Sequence, residues 1–184
     1  MMMTRNTQRA GRSFHSARTV RLTALLAFAA ALTFTAAPAS AQTRGLRIGD
    51  TAPTAMVQTL DGKPADLAEI IGKRPAFIEF WATWCPLCKQ LEPTIKELHA
   101  KYGDKLEIVR IVVPQNQTAE KAREYVTRNE LPGKFFFDAD GAAYKAFAAY
   151  HTSYIVVLDR NGKVVHSEDG ATQDLESAIR KVIY

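Results

Sequence analysis

Two rhythms of apolar and polar positions run through residues 55–184 of this chain. Short apolar runs alternate with stretches in which apolar residues recur every three or four positions, the spacings of a buried strand and of one helical face. Ala76–Trp81 is apolar except for Glu79 and rich in aromatics, which suits a strand buried on both faces. Over Pro86–Tyr102 the positions Leu87, Leu91, Ile95, Leu98 and Tyr102 form one stripe and predict a helix. Pro93, with no amide hydrogen to donate, should kink it. Residues 106–113 read as a second buried strand, 118–129 as a helix capped by Thr118, 134–137 as a brief strand and 142–149 as a short helix. Residues 154–158 and 163–167 flank Asp159-Arg160-Asn161-Gly162 and predict an antiparallel hairpin, after which 172–183 closes as a helix. Upstream, 55–60 reads as a short strand before an Asp61-Gly62 turn, and 65–71 as either strand or helix. Strands alternating with helices and ending in a hairpin predict a mixed α/β sheet covered on both faces. No repeat or Pro/Gly/Ser-rich linker divides residues 42–184, which read as one domain.

The first 41 residues follow neither rhythm. Arg5, Arg9, Arg12, Arg18 and Arg21 come with no acid, residues 22–37 are an almost unbroken run of Ala, Leu, Phe and Thr, and Ala39-Ser40-Ala41 follows. This is the pattern of a signal peptide cut after Ala41, so residues 1–41 are expected to be removed and 42–184 to work in the periplasm or elsewhere outside the cytoplasm. The alternative is an uncleaved anchor, although a span needs about 20 apolar residues. Removing the segment changes the charge picture. The whole chain has 24 basic and 19 acidic residues, but five of the basic ones lie in this segment, leaving a domain near neutrality. A nucleic-acid partner, which calls for a basic surface, is therefore not expected.

A domain of 42–184 should bury roughly two thirds of its unfolded surface and needs no disulfide staple. The chain nevertheless has two cysteines, Cys85 and Cys88, three positions apart. That economy points to chemistry rather than scaffolding. Cys85 falls where a strand gives way to a helix, and unpaired amides at a helix start favour a negative sulfur. Pro86 suits the first helical turn, and Cys88 lies on the same helical face, so the pair can close a Cys85–Cys88 disulfide. In this reading Cys85 attacks a partner disulfide and Cys88 resolves the mixed disulfide. Glu79, the only charge in its strand, is the candidate to accept the proton of Cys88, since burial raises a carboxyl pKa; the competing reading puts it at an edge or facing solvent. Trp81 and Trp84 read as packing around the active turn or as participants. Half of a zinc site is the other use of such a pair, but no second ligand pair accompanies it.

The segment Phe80-Trp81-Ala82-Thr83-Trp84-Cys85-Pro86-Leu87-Cys88, with Pro93 five places on, resembles the active site of thioredoxin-fold proteins. Gly49-Asp50 with Pro53, Leu60-Asp61-Gly62-Lys63 and residues 157–165 are similar to the exported TlpA/ResA-like disulfide reductases. The likeness spans about residues 46 to 184. It implies a thioredoxin-like α/β fold with a central mixed sheet of four or five strands, helices on both faces, a C-terminal hairpin and helix, and a helical insertion matched to residues 114–149. It also implies a thiol:disulfide oxidoreductase, more a reductase than an oxidase, exchanging electrons with protein thiols and disulfides. Such relatives often serve cytochrome c maturation or metal-centre assembly and are fed by a membrane electron donor. Glu79 falls where thioredoxins place their buried acid, and Trp81, Trp84, Pro86 and Leu87 become active-site neighbours.

One position departs from that pattern. Relatives have a cis-proline before the hairpin strand, whereas the matching stretch here is His151-Thr152-Ser153-Tyr154. A cis bond before a non-proline residue costs about 2.5–4 kcal/mol, so the loop is expected to be either strained or trans. His151 reads in three ways: a loop histidine facing solvent, a cation that lowers the Cys85 pKa, or a third ligand joining Cys85 and Cys88 on Cu(I). The last makes a copper-binding chaperone the alternative function; otherwise no cofactor is expected. His99 and His166 read as surface residues. The Pro-x-x-x-Thr-x-x-Cys arrangement of peroxiredoxins is absent, because Thr83 lies only two residues before Cys85.

Overall fold

The computed structural model describes residues 44–184, so the segment read as an export signal lies outside the described residues. In chain order the elements are β1 (Met56–Thr59), β2 (Pro64–Asp66), β3 (Ala76–Trp81), α1 (Pro86–Tyr102), β4 (Glu107–Val112), α2 (Ala119–Arg128), β5 (Lys134–Phe137), α3 (Ala142–Ala146), β6 (Ile155–Leu158), β7 (Val164–Glu168) and α4 (Leu175–Ile183). The strands make one sheet in the order β2-β1-β5-β4-β3-β6-β7. β3, β4 and β5 run parallel at its centre, and the outer strands pair antiparallel.

All six positions of β3 are buried, the reason its sequence is nearly continuous in apolar residues rather than alternating. Phe77 packs in a cluster with Leu91, Ile95 and Leu98 of α1 and Ile179 of α4, which places both helices on one face of the sheet. Tyr125 of α2 packs against Trp81 on that side too, 5.7 Å between ring centroids. On the other face Phe80 meets Phe147, just after α3, at 5.6 Å. Thr118 caps α2 as its sequence position suggests, its hydroxyl accepting the Lys121 amide at 3.2 Å. At the β6–β7 turn the Asp159 carboxylate accepts from the amides of Asn161 and Lys163, both at 2.8 Å.

The α/β class holds, while the sheet and one face of α1 differ in detail from expectation. The sheet has seven strands rather than four or five. The segment 114–149 contributes β5 as well as α2 and α3, and β5 then carries the β1–β2 hairpin along the sheet edge. Residues 65–71, undecided in sequence, are divided: β2 ends at Asp66, whose carboxylate caps a 3-10 turn over Leu67–Glu69. Leu87 does not belong to the buried stripe of α1 and is 38% exposed, because Cys88 takes the inward position and sets the face Cys88, Leu91, Ile95, Leu98, Tyr102. The helix itself is continuous through Pro93.

Candidate active site: a buried disulfide over a charged triad

Cys85 is the N-cap of α1, with extended backbone (φ −74°, ψ 113°), and its Sγ accepts the Cys88 amide at 3.0 Å. Pro86 follows in the first turn, where a missing donor is harmless. Cys85 and Cys88 form a disulfide with Cα atoms 5.3 Å apart. Both residues are buried, at 1% and 0% exposure, while their neighbours Trp84 and Leu87 stand out into solvent.

The turn before Cys85 is held by the loop after β4. The Trp84 indole N–H donates to the Gln115 carbonyl at 2.7 Å. Gln117, itself buried, accepts the Thr83 amide at 3.0 Å and donates to the Val113 carbonyl at 2.6 Å. Sequence reasoning missed Gln117, since nothing in a polar Gln-Asn-Gln loop marks one glutamine as an internal bracket. Trp81 packs in the core, buried with the Phe135 ring at 5.4 Å edge-on.

Glu79 is fully buried, which excludes the edge or solvent-facing reading. Its register partner across the parallel ladder is Arg110 on β4, also fully buried, and the two side chains emerge on the α1 face. Arg110 donates from Nε to Glu79 Oε2 at 2.7 Å, and its Nη2 lies 2.6 Å from the same oxygen. The two terminal nitrogens of Arg110 also grip Glu92 of α1, Nη1 to Oε2 and Nη2 to Oε1, each at 2.8 Å. The Trp81 indole N–H adds a donor to Glu92 Oε1 at 3.3 Å. Glu79 Oε1 is left buried with no hydrogen-bond partner. Burial pushes the Glu79 carboxyl up to about 7, with the Arg110 cation opposing and the Glu92 carboxylate reinforcing the push. Cys88 stands one helical turn before Glu92, so both look inward from the same side of α1. Arg110 and Glu92 are the other functional candidates that sequence reasoning missed. Arg110 carries a readable signal, a lone charge in the apolar run 108–113, of the same kind that singled out Glu79.

His151 lies at the rim. Its ring is exposed, with Nδ1 2.9 Å from Asp169 Oδ2, and the Tyr150 hydroxyl donates to the other oxygen at 3.0 Å. These contacts hold the Asp169 carboxyl below the usual carboxylate range. Trp84, Leu87, His151, Thr152 and Asp169 line one shallow surface depression. There is no cis peptide among the described residues, so the peptide before His151 is trans. The loop makes its turn instead at Ser153, buried and left-handed (φ 67°), whose amide donates to the Phe80 carbonyl of β3 at 2.7 Å. Among the described residues no group of three or more His, Cys, Asp or Glu is placed to hold a metal ion. The ligand set Cys85, Cys88 and His151 is thus not assembled while the disulfide is closed. His99 is exposed, whereas His166 is half-buried with Nε2 2.6 Å from Gln173 Oε1, which corrects its reading as a surface residue.

Known proteins resemble this chain in sequence and fold. The Redoxin family model matches residues 47–183. The thiol-disulfide oxidoreductase ResA of Bacillus thuringiensis is 29% identical over 140 residues, 74% of this chain and 79% of the relative. The thioredoxin domain of a thiol-disulfide oxidoreductase from Bacteroides vulgatus superposes with a TM-score of 0.65 at 17% identity, covering 76% of this chain and 99% of that one. A secreted disulfide oxidoreductase of Mycobacterium tuberculosis does so at 0.59 and 22%, covering 69% and 95%. These likenesses bear out the thioredoxin-like fold expected from sequence. A helix-capping Cys85–Cys88 disulfide on that fold, in a chain matched from 47 to 183, is the site of a thiol-disulfide oxidoreductase, and the chain belongs to the Redoxin family.

Proposed function

We propose that this chain works outside the cytoplasm as a reductase of protein disulfides, with Cys85 as attacking sulfur, Cys88 as resolving sulfur and Glu79 as the acceptor of the Cys88 proton. In the reduced protein the Cys85 thiolate attacks one sulfur of a partner disulfide. A Cys85–partner bond forms, the partner S–S bond breaks, and its other sulfur leaves as a thiolate. Cys88 then gives its proton to Glu79 and attacks Cys85 Sγ, closing Cys85–Cys88 and releasing the second partner thiol. The partner gains two electrons and the protein loses two, to be restored by a dithiol donor; a membrane electron carrier fits that role.

The observation that carries this reading is the Cys88 amide donated to Cys85 Sγ at the first turn of α1. A donor aimed at that sulfur stabilises it when ionised, both as attacking and as leaving group. Two influences then oppose each other. The N-cap position stabilises the reduced form and raises the potential, whereas burial of both sulfurs disfavours a charged one and lowers it. The resemblance to TlpA/ResA-like reductases favours reduction, with the thiols of cytochrome c maturation as one target class. The pattern of residues 1–41 and the likeness to a secreted relative support an extracytoplasmic address, with removal of 1–41 leaving the domain 42–184. The test is the Cys85/Cys88 reduction potential together with turnover of a disulfide substrate. A value near the thioredoxin end of the range, about −270 mV, is expected, with Cys85→Ser inactive. A value near −120 mV makes the protein an oxidant, and activity in Cys85→Ser removes the assignment of the attacking sulfur.

A further inference from the structure

Arg110 is asked to neutralise two carboxylates at once. Three of its nitrogens supply four contacts, two on a single oxygen of Glu79 and one on each oxygen of Glu92. With every group ionised the triad carries a net charge of −1 in a site where two of its three members are wholly out of water. One proton makes it neutral, and burial strongly favours that state.

The contacts decide which carboxyl takes the proton. Glu92 has both oxygens occupied by three donors, the two Arg110 nitrogens and the Trp81 indole, and its side chain keeps 13% exposure. Glu79 has one oxygen doubly held and the other, Oε1, with no partner at all. A proton on Glu92 would displace a charge-assisted bond; a proton on Glu79 Oε1 displaces nothing.

We propose that Glu92 is a positioning residue for the redox reaction: by occupying both terminal nitrogens of Arg110 it confines that cation's hold on Glu79 to Oε2 and keeps Oε1 as the seat of the proton that Cys88 gives up. The proposal rests on the reading of Glu79 as the proton acceptor of Cys88, and adds what makes Glu79 fit for it. Only one proton moves, from Cys88 Sγ to Glu79 Oε1 during resolution. The surroundings leave few rivals. Besides Arg110 on β4 and Glu92 and Cys88 on α1, Glu79 faces apolar residues: Ile155 opposite it on β6, and Phe77 and Trp81 on its own strand. Tyr125 of α2 packs against Trp81, and α4 contributes Leu175 and Ile179 to the neighbouring cluster. The raised affinity of Glu79 for its proton agrees with a cation shared between two acids.

Removing the charge of Glu92 gives all of Arg110 to Glu79. The Glu79 carboxylate is then better stabilised and a weaker base, since an undivided cation at contact lowers a carboxyl pKa by about one to three units. The experiment follows the rate of Cys88 resolution, read as release of a chromogenic thiol from a Cys85 mixed disulfide, from pH 5 to pH 9. It compares the full chain with Glu92→Gln and Glu79→Gln. The expected result is an acid limb near neutral pH in the parent, its loss in Glu79→Gln, and its displacement by at least about one unit to lower pH in Glu92→Gln. A limb lost in Glu79→Gln but unmoved in Glu92→Gln overturns the role of Glu92 and leaves that of Glu79 intact. A limb that survives Glu79→Gln overturns both. Should Glu92→Gln fail to fold, Glu92→Asp keeps the charge but, one methylene shorter, holds its carboxylate back from Arg110 and loosens both contacts. It is expected to move the limb the same way by a smaller amount, and an unmoved limb there also overturns the proposal.

Discussion

Two contacts made by carboxylates accompany the disulfide, and they differ above all in access to water. Beneath α1, Glu79 and Arg110 are fully buried and tied to Glu92; at the rim, His151 and Asp169 keep 61% and 35% of their side-chain exposure. At 4 Å a pair of unit charges is worth about 1 kcal/mol in water and about 4 kcal/mol at the effective dielectric of a protein site. The sequence made His151 conspicuous by substitution and left Arg110 unremarked. The energetics reverse that order: the group with leverage over chemistry is the one water cannot screen.

The largest test of this contrast is Arg110→Met. It leaves the fully buried Glu79 and the partly buried Glu92 without their cation, and breaking a buried pair costs about 3–5 kcal/mol. Denaturant unfolding should show that loss at pH 8 and a smaller one at pH 5, where Glu79 is protonated. A loss under 1 kcal/mol at both would mean the triad is not a buried electrostatic unit.

Next in size is the pH dependence of stability, where the two regions have opposite signs. Burial lifts Glu79 from its ordinary 4.5 to about 7, so the folded protein binds that proton more tightly than the unfolded chain. Its contribution is fully present below about pH 4.5 and is lost as pH rises through 7. Asp169 is held low by His151, so its contribution is present above the ordinary carboxylate value of 3.8 and disappears in acid. One pKa unit corresponds to about 1.4 kcal/mol. The parent should therefore lose at least about 3 °C of Tm relative to Glu79→Gln between pH 5 and pH 8. Parallel Tm curves for the two proteins would remove Glu79 as the titrating group.

The smallest effect belongs to the rim. His151→Ala should change stability by about 0.2–1 kcal/mol at low salt and by nothing measurable in 1 M salt, as for an exposed pair. A larger, salt-insensitive loss would place His151 in the same class as Arg110.

What the sequence disclosed follows the range of the forces involved. α1 was legible because its determinants are local: a cysteine and a proline at the start, then a stripe at helical spacing. Its one misread member, Leu87, shows that the stripe fixes a face only to within a neighbour, and Cys88 claimed the inward place. Glu79 was legible as the single charge in a buried run. That it meets Arg110 follows only from the pairing of β3 with β4, and that Glu92 joins them needs the rotation of α1, with several other charges on the same helix competing for notice. The strand count failed for another reason. Segments 55–60 and 134–137 already read as strands, but the number was taken from the resemblance, and nothing local says that β1 joins β5. The contact of His151 with Asp169 spans a hairpin and left no pattern to read.

The position of β5 between β1 and β4 has a kinetic side. β1 and β2 can pair as soon as they exist, but Thr59 must wait for Phe136 before the hairpin gains its sheet. Such non-local closure is slow because chain entropy is lost before contacts reward it. Until β5 is laid down, the growing chain shows an unpaired edge on β4 to its surroundings, and strand edges of that kind invite association. A newly made chain is therefore most vulnerable to aggregation while its centre is already built and its margin is not.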